Sequence, residues 1–132
     1  DKNIEKRRKL GEYYCSLLSK IPGVRLQEIN AKCLYAYPDI TLLVDEKTFG
    51  LARDEMMRRL DEAGIETRKY YHPPVHRYGC YSHLKKQSSL KVTDEVADNI
   101  ICLPFYPSMS IRDIEYVCRT IRRIQGGGKV KT

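Results

Sequence analysis

The stretch from Gly64 to Tyr81 constrains this chain more than any other. Gly64 stands where a helical pattern stops, and glycine tolerates the left-handed turn that ends a helix. Ile65, Thr67 and Lys69 then alternate with Glu66, Arg68 and Tyr70, which predicts a short strand. Pro73 and Pro74 end it, because proline offers no N–H to a ladder and restricts the residue before it. Beyond them the segment is crowded with His76, Arg77, Tyr78 and Tyr81. A segment that leaves a strand stiffly and then carries aromatics and cations is built to present side chains.

The rest of the chain supplies stripes to pack around that segment. Residues 1 to 20 read as a helix, with Leu10, Tyr14, Leu17, Leu18 and Ile21 on one apolar face. The pattern has no N-cap before it, so the chain is expected to continue a longer one. Pro22 and Gly23 end this helix, and Val24 to Ala31 reads as loop or edge strand. Leu34 to Val44 is the best strand candidate, with Leu34, Ala36, Ile40, Leu42 and Val44 on one parity; Pro38 inside it implies an edge or a bulge. Arg53 to Ala63 reads as a helix with Met56, Met57, Leu60 and Ala63 inward. Ala52 makes a poor N-cap for it, a deficit of about 0.5 to 2 kcal/mol. Gln87 to Lys91 is polar loop, Thr93 is expected to cap a short helix through Asp98, and Ile100 to Leu103 is a strand. Ser110 and Asp113 resemble a capping box. Ile111, Ile114, Val117, Cys118, Ile121 and Ile124 then keep helical spacing to Gln125. Gly126 to Gly128 terminates that helix, and residues 129–132 are expected to form a disordered tail. Helices on one side of a small three-to-four-stranded sheet would bury all these stripes.

At 132 residues this is one domain, able to bury roughly two thirds of its unfolded surface without staples. The five cysteines form no C-x-x-C and are odd in number, which favours reduced thiols in a cytosol. No apolar run approaches a membrane span, and no secretory signal is visible. The net charge of +7 raises the question of nucleic acid. The cations are dispersed over helix faces without a nucleic-acid-binding signature, so neither DNA nor RNA is an expected partner.

Three side-chain types in the Gly64–Tyr81 stretch suit ligand contact. Arg68 can hold a phosphate or carboxylate bidentately. Tyr70 and Tyr71 offer one ring to the core and one to a site, in an order the sequence leaves open. His76 can hydrogen-bond a ligand oxygen, charged or neutral near pH 7, or simply pack at the surface. A metal reading competes: His72, His76, Cys80 and His83 lie within twelve residues, a ligand set zinc would accept. Against it, Pro73 and Pro74 prevent the helix that would align the two nearest imidazoles.

Four blocks occur in an order that resembles a known family. They are Tyr35 to Glu46; Phe49, Gly50, Leu51, Ala52, Arg53, Asp54 and onward to Gly64 and Ile65; Arg68, Tyr70, Tyr71, Pro73, Pro74, His76 and Tyr81; and Leu103, Pro104, Tyr106, Pro107, Ser108 and Ser110. Together they resemble the late part of the DegT/DnrJ/StrS-type nucleotide-sugar aminotransferases, fold-type-I enzymes that use pyridoxal phosphate. The resemblance spans roughly residues 1 to 124. It implies an α+β fold: a two-layer sandwich in which helices cover a small, mostly antiparallel sheet of three to four strands. On this reading residues 1–125 are the C-terminal small domain, with 1–20 leading in from a large domain that carries most of the cofactor site. It also implies amino transfer, from glutamate, to a keto-sugar on a nucleotide diphosphate, and a homodimeric parent. The Schiff-base lysine would lie upstream, so this chain is expected to be inactive alone, with Arg68, Tyr70, Tyr71 and His76 lining the substrate site. No lysine here stands in a matching context; Lys85 and Lys86 sit in polar loop. A non-catalytic binding or regulatory domain is the other reading. A domain parted from a larger one should also bear an exposed apolar patch, near the first helix or the 70–81 loop.

Overall fold

The structure, a computed structural model, describes residues 2–30, 32–84 and 90–127. The tail expected at 129–132, the pair Lys85 and Lys86, and most of the polar stretch from Gln87 lie outside them. Helix α1 (Lys2–Leu18) follows its stripe, with Tyr14 and Leu18 buried and Leu10 and Leu17 packed against the core. Strand β1 (Val24–Leu26) forms one edge of the sheet. Strand β2 (Ile40–Val44) runs up the centre, buried at Ile40, Leu42 and Val44, and strand β3 (Ile100–Leu103) flanks it on the other side. Both pairings are antiparallel, setting Val24 opposite Val44 and Leu42 opposite Ile101. Helices α3 (Arg53–Glu62) and α5 (Ile111–Gln125) pack together, and α1 packs on α5. Their inward residues Met56, Leu60, Ile114, Val117 and Ile121 join the β2 side chains in one core. No helix among the described residues is long and apolar enough to cross a membrane.

Local chemistry explains several boundaries. Ser110 accepts from the Asp113 N–H and Asp113 returns a bond to the Ser110 N–H, so the capping box closes with aspartate in the glutamate position. Gly64, at φ +73°, donates to the Asp61 carbonyl, and Ile65 donates to Leu60, finishing α3. Ala52 makes no side-chain cap bond, as its type dictates.

Five expectations are corrected. The strand read from Leu34 begins only at Ile40, and Leu34 is 89% exposed. Tyr37 adopts φ +48°, which turns the chain, and Arg7 Nε donates at 2.6 Å to the Tyr37 carbonyl while its Nη2 takes the Pro38 carbonyl. Arg7 thus stands at those carbonyls where a ladder partner would have to come. Pro38 precedes the central strand rather than marking an edge or bulge. The strand read from Ile65 reduces to a single antiparallel bridge between Arg68 and Cys102, because the Ile65 N–H is already committed to Leu60. Thr93 is not a cap: helix α4 spans Lys91–Asn99, with Leu90 at the N-cap position. Ile111, counted in the apolar stripe, is 53% exposed at the first position of α5. The structure also adds a short helix, α2 (Glu46–Phe49), that the apolar spacing does not predict. Asp45 starts it by accepting from Lys47 N–H and Thr48 Oγ1, and Gly50 at φ +89° ends it.

One close approach ties α1 to the turn before β2. The Tyr37 ring lies over Gly11, where an added Cβ would stand 2.4 Å from the ring carbon Cγ. Alanine at an ordinary helical site stabilises by about 1 kcal/mol over glycine. Here overpacking, worth about 1–3 kcal/mol, opposes it. Gly11→Ala is expected to lower the urea midpoint by a net loss of up to about 2 kcal/mol with the m-value unchanged. A midpoint at or above that of the parent sequence would show that the Tyr37 contact does not constrain this position.

Candidate functional site

Past Gly64 the chain is held at two points. Ile65 is buried against the core, and Arg68 exchanges backbone bonds with Cys102, at 3.1 and 2.8 Å. This lays the Glu66–Tyr70 run beside the turn that follows β3 and the first turns of α5. Between them lies an open cavity of about 550 Å³. Arg68, Tyr70, Glu66, Asp39, Tyr106 and Tyr116 contribute its polar walls. Tyr116 donates from its hydroxyl to the Ala63 carbonyl at 2.9 Å, which joins α5 to the end of α3 at the rim.

Arg68 is oriented by its neighbours. One guanidinium nitrogen donates to the Tyr70 hydroxyl at 2.9 Å and another to Glu66 at 3.2 Å. The two partners fix the plane of the guanidinium while its side chain stays 61% exposed. Tyr71 stacks on Tyr70, with centroids 5.2 Å apart and planes tilted by 32°. Tyr71 is 74% exposed and Tyr70 half-buried, so neither ring takes the core place expected for one of them. Arg68 and Tyr70 share the cavity, and Tyr71 adjoins it through the stack.

His76 lies elsewhere. Its Nε2 is 2.8 Å from Asp94 on α4, and Arg77 donates to Asp94 at 2.7 Å and, through both terminal nitrogens, to Asp98 at 2.9 and 3.1 Å. His72 Nδ1 faces the Ala97 carbonyl at 3.1 Å. The 72–77 turn is thus clamped onto one face of α4. Sequence reasoning does not find this clamp, although Asp94 and Asp98 stand one helical turn apart and so share a face. Burial would raise the Asp94 carboxyl, but the His76 and Arg77 bonds outweigh it and hold the group below its ordinary value.

The zinc reading fails on this geometry. His72 and His76 are taken by different partners, and Cys80 is exposed. No group of three or more His, Cys, Asp or Glu side chains among the described residues is placed to hold a metal. Nor does the cavity suit pyridoxal phosphate by itself. Among the described residues no lysine lines it, and Lys69, within the segment that forms its wall, is bound to Asp54 at 2.8 Å. Around the 70–81 turn the apolar side chains of Tyr71, Val75, Tyr78 and Tyr81 are exposed, as are Leu90 and Val92 at the start of α4.

Comparison with known proteins gives a consistent picture. The model of the DegT/DnrJ/EryC1/StrS aminotransferase family matches residues 1–122. The chain is 30% identical over 112 residues to the dTDP-4-amino-4,6-dideoxy-D-glucose transaminase of Escherichia coli, covering 82% of this chain and 29% of that protein. It is 32% identical over 132 residues to the spore coat polysaccharide biosynthesis protein SpsC of Bacillus subtilis, covering 95% and 33%. Among solved structures, DesI in the presence of its TDP-sugar product superposes with a TM-score of 0.81 at 27% identity, covering 92% of this chain and 31% of that one. The aminotransferase TlmJ from Streptoalloteichus hindustanus gives 0.79 at 27%, covering 94% and 32%. The chain spans about a third of the length of the relatives it matches.

Helix α3, which carries the cavity segment, is sensitive to acid. Hydrogen bonds from Arg53 and then Lys69 hold Asp54 at about 2 against an ordinary 3.8. Arg58 and then Arg59 hold Glu55 at about 2 against 4.5. A depressed folded-state pKa gives stability that is present above the unfolded value and lost as pH falls through the folded one. Thermal midpoints should therefore be flat down to about pH 4.5 and fall toward pH 2. In Asp54→Asn the part of that fall that belongs to Asp54 should disappear. An Asp54→Asn profile superposable on the parent's would mean that the Asp54 pairs carry none of it.

Proposed function

This chain belongs to the DegT/DnrJ/EryC1/StrS aminotransferase family, and from that premise we propose that it is the small lobe of a longer sugar aminotransferase. The longer enzyme transfers an amino group from glutamate to a keto-sugar carried on a nucleotide diphosphate, and works as a homodimer. Its pyridoxal phosphate supplies the electron sink for amino transfer. The lysine that bonds the cofactor belongs to the large lobe. What this chain contributes is a wall: it binds and orients the nucleotide sugar.

The observation that carries the reading is the Arg68–Tyr70 pair, set into the cavity by the Cys102 bridge inside the matched region. The Arg68 guanidinium meets a phosphate or carboxylate oxygen with its solvent-facing edge. The stacked Tyr70 and Tyr71 rings form a platform for a sugar or base. His76 stands outside this cavity, with Nε2 committed to Asp94 on α4; it takes part only where the substrate extends past the cavity, through Nδ1. The exposed apolar side chains of the 70–81 turn support a lobe that docks against further structure.

Two measurements test this. In the longer enzyme, Arg68→Ala should raise KM for the nucleotide sugar. Losing a hydrogen bond to a charged substrate group weakens binding on the order of 10- to 100-fold. An unchanged KM would remove Arg68 from the site. Secondly, the isolated chain, mixed with pyridoxal phosphate, glutamate and a dTDP-linked keto-sugar, should yield no amino-sugar by mass spectrometry. Turnover by the isolated chain would refute the division between lobes.

A further inference from the structure

Among the described residues, Arg53 is the one buried charged side chain, 6% exposed. An interior guanidinium must be neutralised and hydrogen-bonded. Its Nε donates to Asp54 Oδ1 at 2.7 Å and its Nη1 to the Ala97 carbonyl at 2.7 Å. Each acceptor is shared. Asp54 Oδ1 also receives Lys69 Nζ at 2.8 Å, and the Ala97 carbonyl lies 3.1 Å from His72 Nδ1. Arg53 therefore stands behind the run from Lys69 to His72 and reaches each end of it through one common atom. Tyr70 and Tyr71 lie between those ends, and Arg68 directly precedes Lys69.

Helix stability does not account for Arg53. It is the first residue of α3, where the helix dipole disfavours a cation and favours the neighbouring Asp54. The segment in front of it, by contrast, needs support. The Glu66–His72 run has no strand to hold it: among the described residues its one ladder contact with the sheet is the Arg68–Cys102 bridge. Beyond it the Tyr70 backbone bonds the Cys102 thiol and the His72 N–H donates to the Lys69 carbonyl at 3.1 Å, and the side-chain pins on Lys69 and His72 set where that turn stands against α3 and α4.

The geometry points to Arg53 and Lys69 as positioning residues. Their junction on Asp54, with the Ala97 carbonyl behind, fixes the Lys69–His72 backbone and so aims Arg68 and Tyr70 into the cavity. This rests on the reading of Arg68 and Tyr70 as substrate-binding. Neither Arg53 nor Lys69 lines the cavity, so their effect on binding is indirect.

The test compares Lys69→Met, Lys69→Arg and Arg53→Lys with Arg68→Ala, all in the longer enzyme. Lys69→Met keeps the apolar stem and removes the charge. Lysine at 53 keeps the charge but lacks the planar fork that reaches two acceptors. Both should raise KM for the nucleotide sugar on the order of tenfold, since loss of orientation is costly even without loss of contact. Loss of uniform binding leaves kcat within about twofold. Lys69→Arg should restore KM to near the parent value. If Arg68→Ala raises KM while Lys69→Met and Arg53→Lys leave it alone, the positioning role is overturned. It is overturned equally if Lys69→Met raises KM and Lys69→Arg fails to rescue it. If Arg68→Ala is also silent, the site reading itself falls and the junction with it. Should Arg53→Lys not fold, Lys69→Met decides alone, because the Lys69 side chain is 31% exposed and outside the core.

Discussion

Every layer of this fold meets at the inward side of β2. Ile40, Leu42 and Val44 are all but sealed from solvent, and helices α1, α3 and α5 close over the same core. A three-residue apolar face can hold three helices only if the strand arrives in one register, since a slip by one residue turns the whole face outward. The turn before the strand supplies that register. Tyr37 turns back over Gly11, and Arg7 takes the two carbonyls that precede β2. The same Arg7 lies 4.9 Å above the Phe105 ring, which belongs to the wall of the cavity. The start of the central strand and the shape of the cavity are thus set by one side chain on α1.

The candidate site is built on the opposite principle. Its main segment, from Glu66 to Arg77, owes little to a ladder and much to ion pairs. Asp54 holds Lys69, the Ala97 carbonyl holds His72, and Asp94 with Asp98 holds His76 and Arg77. Exposed ion pairs are individually weak, because water and salt screen them. Several acting on one short run give a defined path that an incoming ligand or a docking lobe can still adjust. The rigid core and the adjustable wall meet at the Arg68–Cys102 bridge.

Which parts of this can be read from residues alone follows from the range of the forces involved. The stripes of α1, α3 and α5 are readable because a 3.6-residue period is a local property of the chain. The Ser110–Asp113 box and the Gly64 stop are local too, and both are present. Asp45 and Gly50 carry an equally local signal for α2, but a helix of four residues is too short to show a period between them. The turn at Tyr37 is not readable, because the groups that meet it, Gly11 under its ring and Arg7 on its carbonyls, lie far away in the sequence. For the same reason Arg68, Tyr70, Tyr71 and His76 can be singled out together, by their chemistry and by family resemblance, while the split between cavity groups and an α4 clamp cannot. That split depends on where Asp94 and Asp98 arrive in space.

The bridge at Arg68 has one more effect, on how this sheet treats other strands. A sheet edge with unpaired N–H and C=O groups invites a foreign chain to add to it. Here β1 offers three residues and β3 four, and the middle of β3 is covered by the Arg68 backbone at Cys102. Neither margin is long enough to template an intruding strand, so the smallness of the sheet and its one borrowed residue together guard against edge-to-edge aggregation.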